Sequence, residues 1–160
     1  MDIETVDVQA QPMIYITTRT VMAPARLASE LKMCVQQLDG FIARNHIRSL
    51  GAPLAIYGDW GDRFITLEVG IPVSAEDAAK ATGRIMSGHT PAGLALKATH
   101  RGGRKALPEL YCRMNEQVRR TGTRTSGLTW EVVPAPSSDG EASMEVFVQL
   151  AAKAKADVSV

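Results

Sequence analysis

Aromatic residues are scarce in this chain. The 160 positions hold two Trp, three Tyr and three Phe, so any ring-lined cage is sparse. Cysteine is scarcer still. Cys34 and Cys112 are far apart and lack CxxC or His-Cys spacing, which argues against a zinc site or a disulfide framework. Both fall in runs with helical spacing and are expected to be reduced, mostly buried thiols. Excess charge is absent too: 18 Lys and Arg against 17 Asp and Glu leave a net charge of +1, too little to recruit nucleic acid or an anionic membrane through a whole-chain field. The opening "MDIETVDVQAQ" lacks the basic stretch, apolar run and cleavage site of a signal peptide, and no apolar run reaches membrane-spanning length. A cytoplasmic location follows as an expectation. His46, His89 and His100 have no metal-ligand spacing, so neither metal nor cofactor is expected. Ser87 in "IMSGHT" is not framed by the glycines of a nucleophile elbow, and "HRGGRK" matches neither a Walker A loop nor the dinucleotide fingerprint.

What is present is periodic. Residues 13 to 21, "MIYITTRTV", are β-branched and predict a strand. Leu27, Leu31, Val35, Leu38, Phe41 or Ile42, and Ile47 then trace one helical face, with Pro24 in the first turn and Gly51 and Pro53 at the end. Residues 53 to 58 and 63 to 73 predict a hairpin around "DWGD". Residues 74 to 92 lack strong periodicity and read as a connection with one helical turn after Ser74. A strand at 93 to 100 follows, then a helix carrying Leu107, Leu110, Tyr111, Met114 and Val118, which ends near Thr121 and Gly122. Strands at 128 to 133 and 144 to 150 flank the turn-rich "PAPSSDGEAS". The order strand, helix, strand, strand occurs twice. It predicts an α+β fold of two βαββ repeats: an antiparallel sheet with two helices packed on one face and a concavity on the other. The expected limits are a flexible segment at 1–11, one domain at 12–150 and a flexible tail at 151–160.

Five stretches, taken in order, resemble the GyrI-like small-molecule-binding domain found as the effector-binding domain of AraC- and MerR-type regulators. They are "GAPLAIYGDW", "LEVGIPV", "PAGLALKATHRG", "ELYCRM" and "TWEVV". The resemblance implies two pseudo-symmetric halves with an aromatic-lined ligand pocket between them, one that takes lipophilic, often cationic, compounds, with the glutamate of the Trp-Glu strand as counter-charge. That residue is Glu131. Arg104 stands where the family has Tyr, and Val133 where it has a further aromatic; Arg104 near a pocket would favour an anionic or neutral ligand.

The expected ligand-binding residues are Glu131, Tyr57, Trp60, Glu68, Tyr111 and Trp130, with Met33, Met86 and Met114 as adaptable apolar surface. Against each stands a plainer role: solvent exposure for Glu68 and Trp60, core packing for Tyr111 and the methionines. Trp130 and Glu131 face opposite sides of any regular strand. The expected function is binding of hydrophobic, aromatic, cationic small molecules, with no direct nucleic-acid or membrane contact. No helix-turn-helix fits before the first strand. The alternative implied by the resemblance is a hydrolase of reactive ring-containing natural products, with Glu131, Glu68 and Tyr111 (or Tyr57) as acid–base groups. A second alternative is a protein partner such as gyrase. Two acids in one cavity would favour the enzyme, and a single acid among rings the binder.

Overall fold

The computed structural model describes residues 3–101, 106–133 and 143–151. Arg104, most of the loop around "PAPSSDGEAS" and nearly all of the expected tail lie outside these residues.

The elements in chain order are β1 (Ile3–Val8), β2 (Pro12–Val21), α1 (Pro24–Arg44), β3 (Leu54–Gly58), β4 (Phe64–Pro72), α2 (Ala75–Ala78), β5 (Met86–His89), β6 (Gly93–Arg101), α3 (Leu107–Arg120), β7 (Thr125–Val132) and β8 (Ser143–Leu150). All eight strands join one antiparallel sheet in the order β1-β6-β8-β7-β3-β4-β2-β5. The fold is α+β. The units β2-α1-β3-β4 and β6-α3-β7-β8 are the two expected repeats, and they meet at the β3–β7 ladder.

Two strands went unpredicted. Residues 1–11, expected to be flexible, contain β1, and the connection 74–92 contains β5 after the single turn α2 that Ser74 caps. Each extra strand pairs with the first strand of the other repeat: β1 with β6, β5 with β2. This arrangement bends the sheet. Six strand spacings separate β1 from β2 in the sheet order, about 29 Å if flat. The chain from Val8 to Pro12 spans at most about 14 Å. The sheet must therefore curl until its edges approach, and the two linkers meet: Thr90 N–H donates to the Gln11 carbonyl (2.8 Å) and Gln11 N–H to Thr90 Oγ1 (2.9 Å).

The expected concavity opposite the helices is filled by this curl. Met13, Leu54, Ile56, Ala95, Trp130 and Phe147 pack there as a core, with Trp130 stacked on Phe147 at 4.9 Å and 5°. On the helix-bearing face, α1 covers one cluster with Leu31, Cys34, Leu38 and Phe41, and α3 covers another with Leu107, Leu110, Met114 and Val118. Helix α1 stops seven residues before Gly51. His46 turns to φ +53, and Ile47 N–H bonds back to the Ile42 carbonyl, folding the Ile47 side chain into the core. Cys34 is buried as expected, but Cys112 is exposed because it points away from the Leu107–Leu110–Met114–Val118 face.

Candidate functional site

Strand register determines which side chains share a face. Tyr57 lies opposite Thr129 and Ala55 opposite Glu131, so Tyr57, Thr129 and Glu131 all point to the helix side, over the seam between the repeats. Neither helix core covers that seam. A cavity of about 530 Å³ lies there, bounded by Met22, Pro24 and Leu27 at the start of α1, by Leu107, Pro108, Tyr111 and Asn115 of α3, and by Tyr57, Ile65, Thr129, Glu131 and Val148 on its floor. Trp60 and Gly127 close one side. Its size is within the range for small-molecule sites.

The polar centre of this cavity is one carboxylate held by two phenols. Glu131 is 3% exposed. Tyr57 donates to Glu131 Oε1 at 3.2 Å and Tyr111 donates to Oε2 at 2.9 Å. One phenol comes from each repeat, so the carboxylate is fixed across the seam by both halves. Burial, and next the adjacent Glu131 charge, push the Tyr111 phenol far above its ordinary value. Tyr111 is therefore held in its protonated, hydrogen-bond-donating form more strongly than a free phenol. The Thr129 hydroxyl, close enough to oppose that rise weakly, is buried and has no hydrogen-bond partner among the described residues.

The sign of this shift gives a prediction. Folding keeps Tyr111 protonated, whereas the unfolded chain releases that proton near pH 10. The contribution to stability is complete below about pH 10 and lost as pH rises beyond it. In urea-unfolding series from about pH 8 to 12, wild-type stability should fall more steeply than that of Tyr111→Phe. Equal slopes would show that the phenol is not held protonated.

The cavity brings together Tyr57, Trp60, Tyr111 and Glu131. Trp60 is half-exposed, donates its indole N–H to the Gly127 carbonyl at 2.7 Å, and tilts towards Tyr57 with ring centroids 6.4 Å apart. Glu68, Trp130, Met33, Met86 and Met114 lie elsewhere. Glu68 pairs with Ile56 and so faces the opposite side of the sheet. There it borders a second, polar cavity, with its carboxyl raised by partial burial and then by Asp59. Trp130 is 2% exposed within the inner core. Met33 is exposed on the outside of α1, Met86 is exposed on the edge strand, and Met114 is wholly buried under α3. The sequence reading missed Thr129 and Asn115. Both were accessible by spacing, since Thr129 is two residues before Glu131 on a strand and Asn115 one helical turn after Tyr111.

Among the described residues no group of three or more His, Cys, Asp or Glu side chains could hold a metal ion, and no helix is long and apolar enough to cross a membrane. No protein-family model and no curated protein sequence matches the chain. Solved structures do. The C-terminal domain of EcmrR aligns with a TM-score of 0.77 at 14% identity, covering 94% of this chain and 97% of that one. EcmrR in complex with DNA aligns at 0.75 and 16% identity over 93% of this chain, which spans only 57% of that protein's length. SAV2435 bound to tetraphenylphosphonium aligns at 0.64 and 10% identity, covering 94% of each chain. A hydrolase from Listeria innocua aligns at 0.61 and 9% identity, covering 93% of this chain and 91% of that one. At these identities the likeness establishes architecture, and the chain has the GyrI-like fold.

Proposed function

We propose that this protein binds lipophilic organic cations in the cavity between its repeats, with Glu131 as the counter-charge. The observation that carries this reading is a buried carboxylate aimed into an apolar, ring-bearing cavity and held there by two phenols. Burying a carboxylate is costly, and a ligand cation recovers part of that cost in a medium where charges attract more strongly than in water. Tyr57 and Trp60 add ring faces, each worth up to about 2 kcal/mol to a desolvated cation. SAV2435, of the same fold, holds tetraphenylphosphonium, which is a cation of this class.

The hydrolase reading receives less support from the same geometry. Glu131 is the one carboxylate lining the cavity among the described residues, and Glu68 is on the other face of the sheet. A second acid with a separated role is missing from the arrangement that acid–base chemistry favours.

Tryptophan fluorescence should distinguish these readings, since Trp60 borders the cavity. Titration with tetraphenylphosphonium is expected to give a saturable change, while the size-matched anion tetraphenylborate gives none and neutral triphenylphosphine oxide a weaker one. Mass spectrometry should recover every compound intact. Equal binding of cation and anion would end the counter-charge reading, and recovery of a compound altered by one water would favour the hydrolase.

A further inference from the structure

Strands β3 and β7 do not run side by side to their ends. Their ladder closes at Tyr57 and Thr129. On its other side, β7 pairs Thr129 with Val148 and Thr125 with Leu150, so Ser126, Gly127 and Leu128 stand against Gln149 alone. Gly127 takes φ +92, a conformation that suits glycine, and the β7–β8 ladder is interrupted there by a bulge. The resulting gap is spanned by the Trp60 indole, hydrogen-bonded to the Gly127 carbonyl.

The gap separates two cavities. One is the apolar chamber of about 530 Å³ on the helix side; the other, of about 420 Å³, lies on the opposite face and is edged by Asp59, Thr66, Glu68 and Ser126. Trp60 and Gly127 are the described residues that border both. Trp60 is nevertheless 49% exposed, and the preceding Asp59 sits at φ +47, an uncommon conformation outside glycine.

We propose that Trp60 is a releasable partition that sets ligand size. With its N–H on Gly127 the site is an apolar chamber walled off from the second cavity, suited to compact ligands. With that bond broken the indole swings into solvent, the two cavities join through the sheet, and the site takes elongated ligands. Such ligands would have an apolar aromatic end for the chamber and a hydrogen-bond-donating end for the acceptor-lined cavity beyond. Trp60 is then a specificity-determining residue. This inference rests on the proposed cation-binding function.

The test uses the full chain, wild type and Trp60→Phe, with two cationic probes. The compact one is tetraphenylphosphonium; the long one is a bis(4-aminoquinolinium) joined by a decane chain. Calorimetry gives affinities, and the Trp60 indole N–H in a nitrogen-15 spectrum, identified by its loss in the variant, gives the state of the partition. Phe keeps a ring but cannot make the bond, so opening becomes easier by about the net worth of one hydrogen bond, on the order of fivefold. The long probe should gain about that factor in Trp60→Phe while the compact probe loses affinity. In wild type the long probe should speed exchange of the indole proton with water, and the compact probe should not. The partition fails, with the binding function intact, if the long probe binds while leaving that proton protected, if both probes change by the same factor, or if only the compact probe binds. If neither probe binds, cation binding and partition fail together.

Discussion

Glu131→Gln is expected to lower tetraphenylphosphonium affinity by about 30-fold to several-thousand-fold, the range that follows from removing one partner of a buried charge pair at 2–5 kcal/mol. Neutral triphenylphosphine oxide should bind both proteins within about twofold, because it makes no charge pair to lose. The substitution keeps side-chain shape, and the amide can accept from one phenol and donate to the other, so the pocket need not collapse. Melting curves should therefore stay close together. Replacing a buried charge by a well-fitting neutral group is often neutral or stabilising. A parallel loss of cation and neutral ligand would point to a deformed cavity. Unchanged cation affinity would end the counter-charge role.

Trp130→Ala is expected to act on stability rather than on ligand choice. Its ring is stacked on Phe147 inside the curled sheet, among Met13, Leu54, Ile56 and Ala95, and removing it should cost about 3–5 kcal/mol. That is a large share of the 5–15 kcal/mol that typically holds a domain folded, and for a chain of this size it lowers Tm by roughly 10 °C. Trp130→Phe should lose less. The ratio of cation to neutral-ligand affinity, measured well below the melting range, should remain that of wild type. A changed ratio would mean that the inner core sets the position of Glu131 one residue along the strand.

Both predictions separate neighbours that the sequence presented together, and they show where its legibility ended. That Trp130 and Glu131 face opposite sides follows from strand geometry alone. Which side holds the pocket does not, because it depends on β1 and β5 drawing the sheet edges together, and neither strand has a strong pattern. In β1 the sequence IETVDV buries no residue fully, and β5 is the four-residue MSGH at a sheet edge. Their stability comes from partners about 70 to 95 positions away, so no local window contains it. The helices were legible because their periodicity is local and one face of each is buried. Glu68 was misplaced for a related reason. Its face is set by the β3–β4 register, which pairs it with Ile56, and a shift of one residue would have turned it to the other side.

The crossed attachment of β1 and β5 also affects how the chain can fold. The first repeat takes its outermost strand, β5, from the segment that precedes the second, and the second takes β1 from the segment that precedes the first, so each half of the sheet is closed by chain outside its own βαββ unit. Such non-local pairing slows folding and ties distant segments into one cooperative transition. The two phenols that grip Glu131 reach it from opposite repeats, so the binding centre exists only once the whole chain has closed.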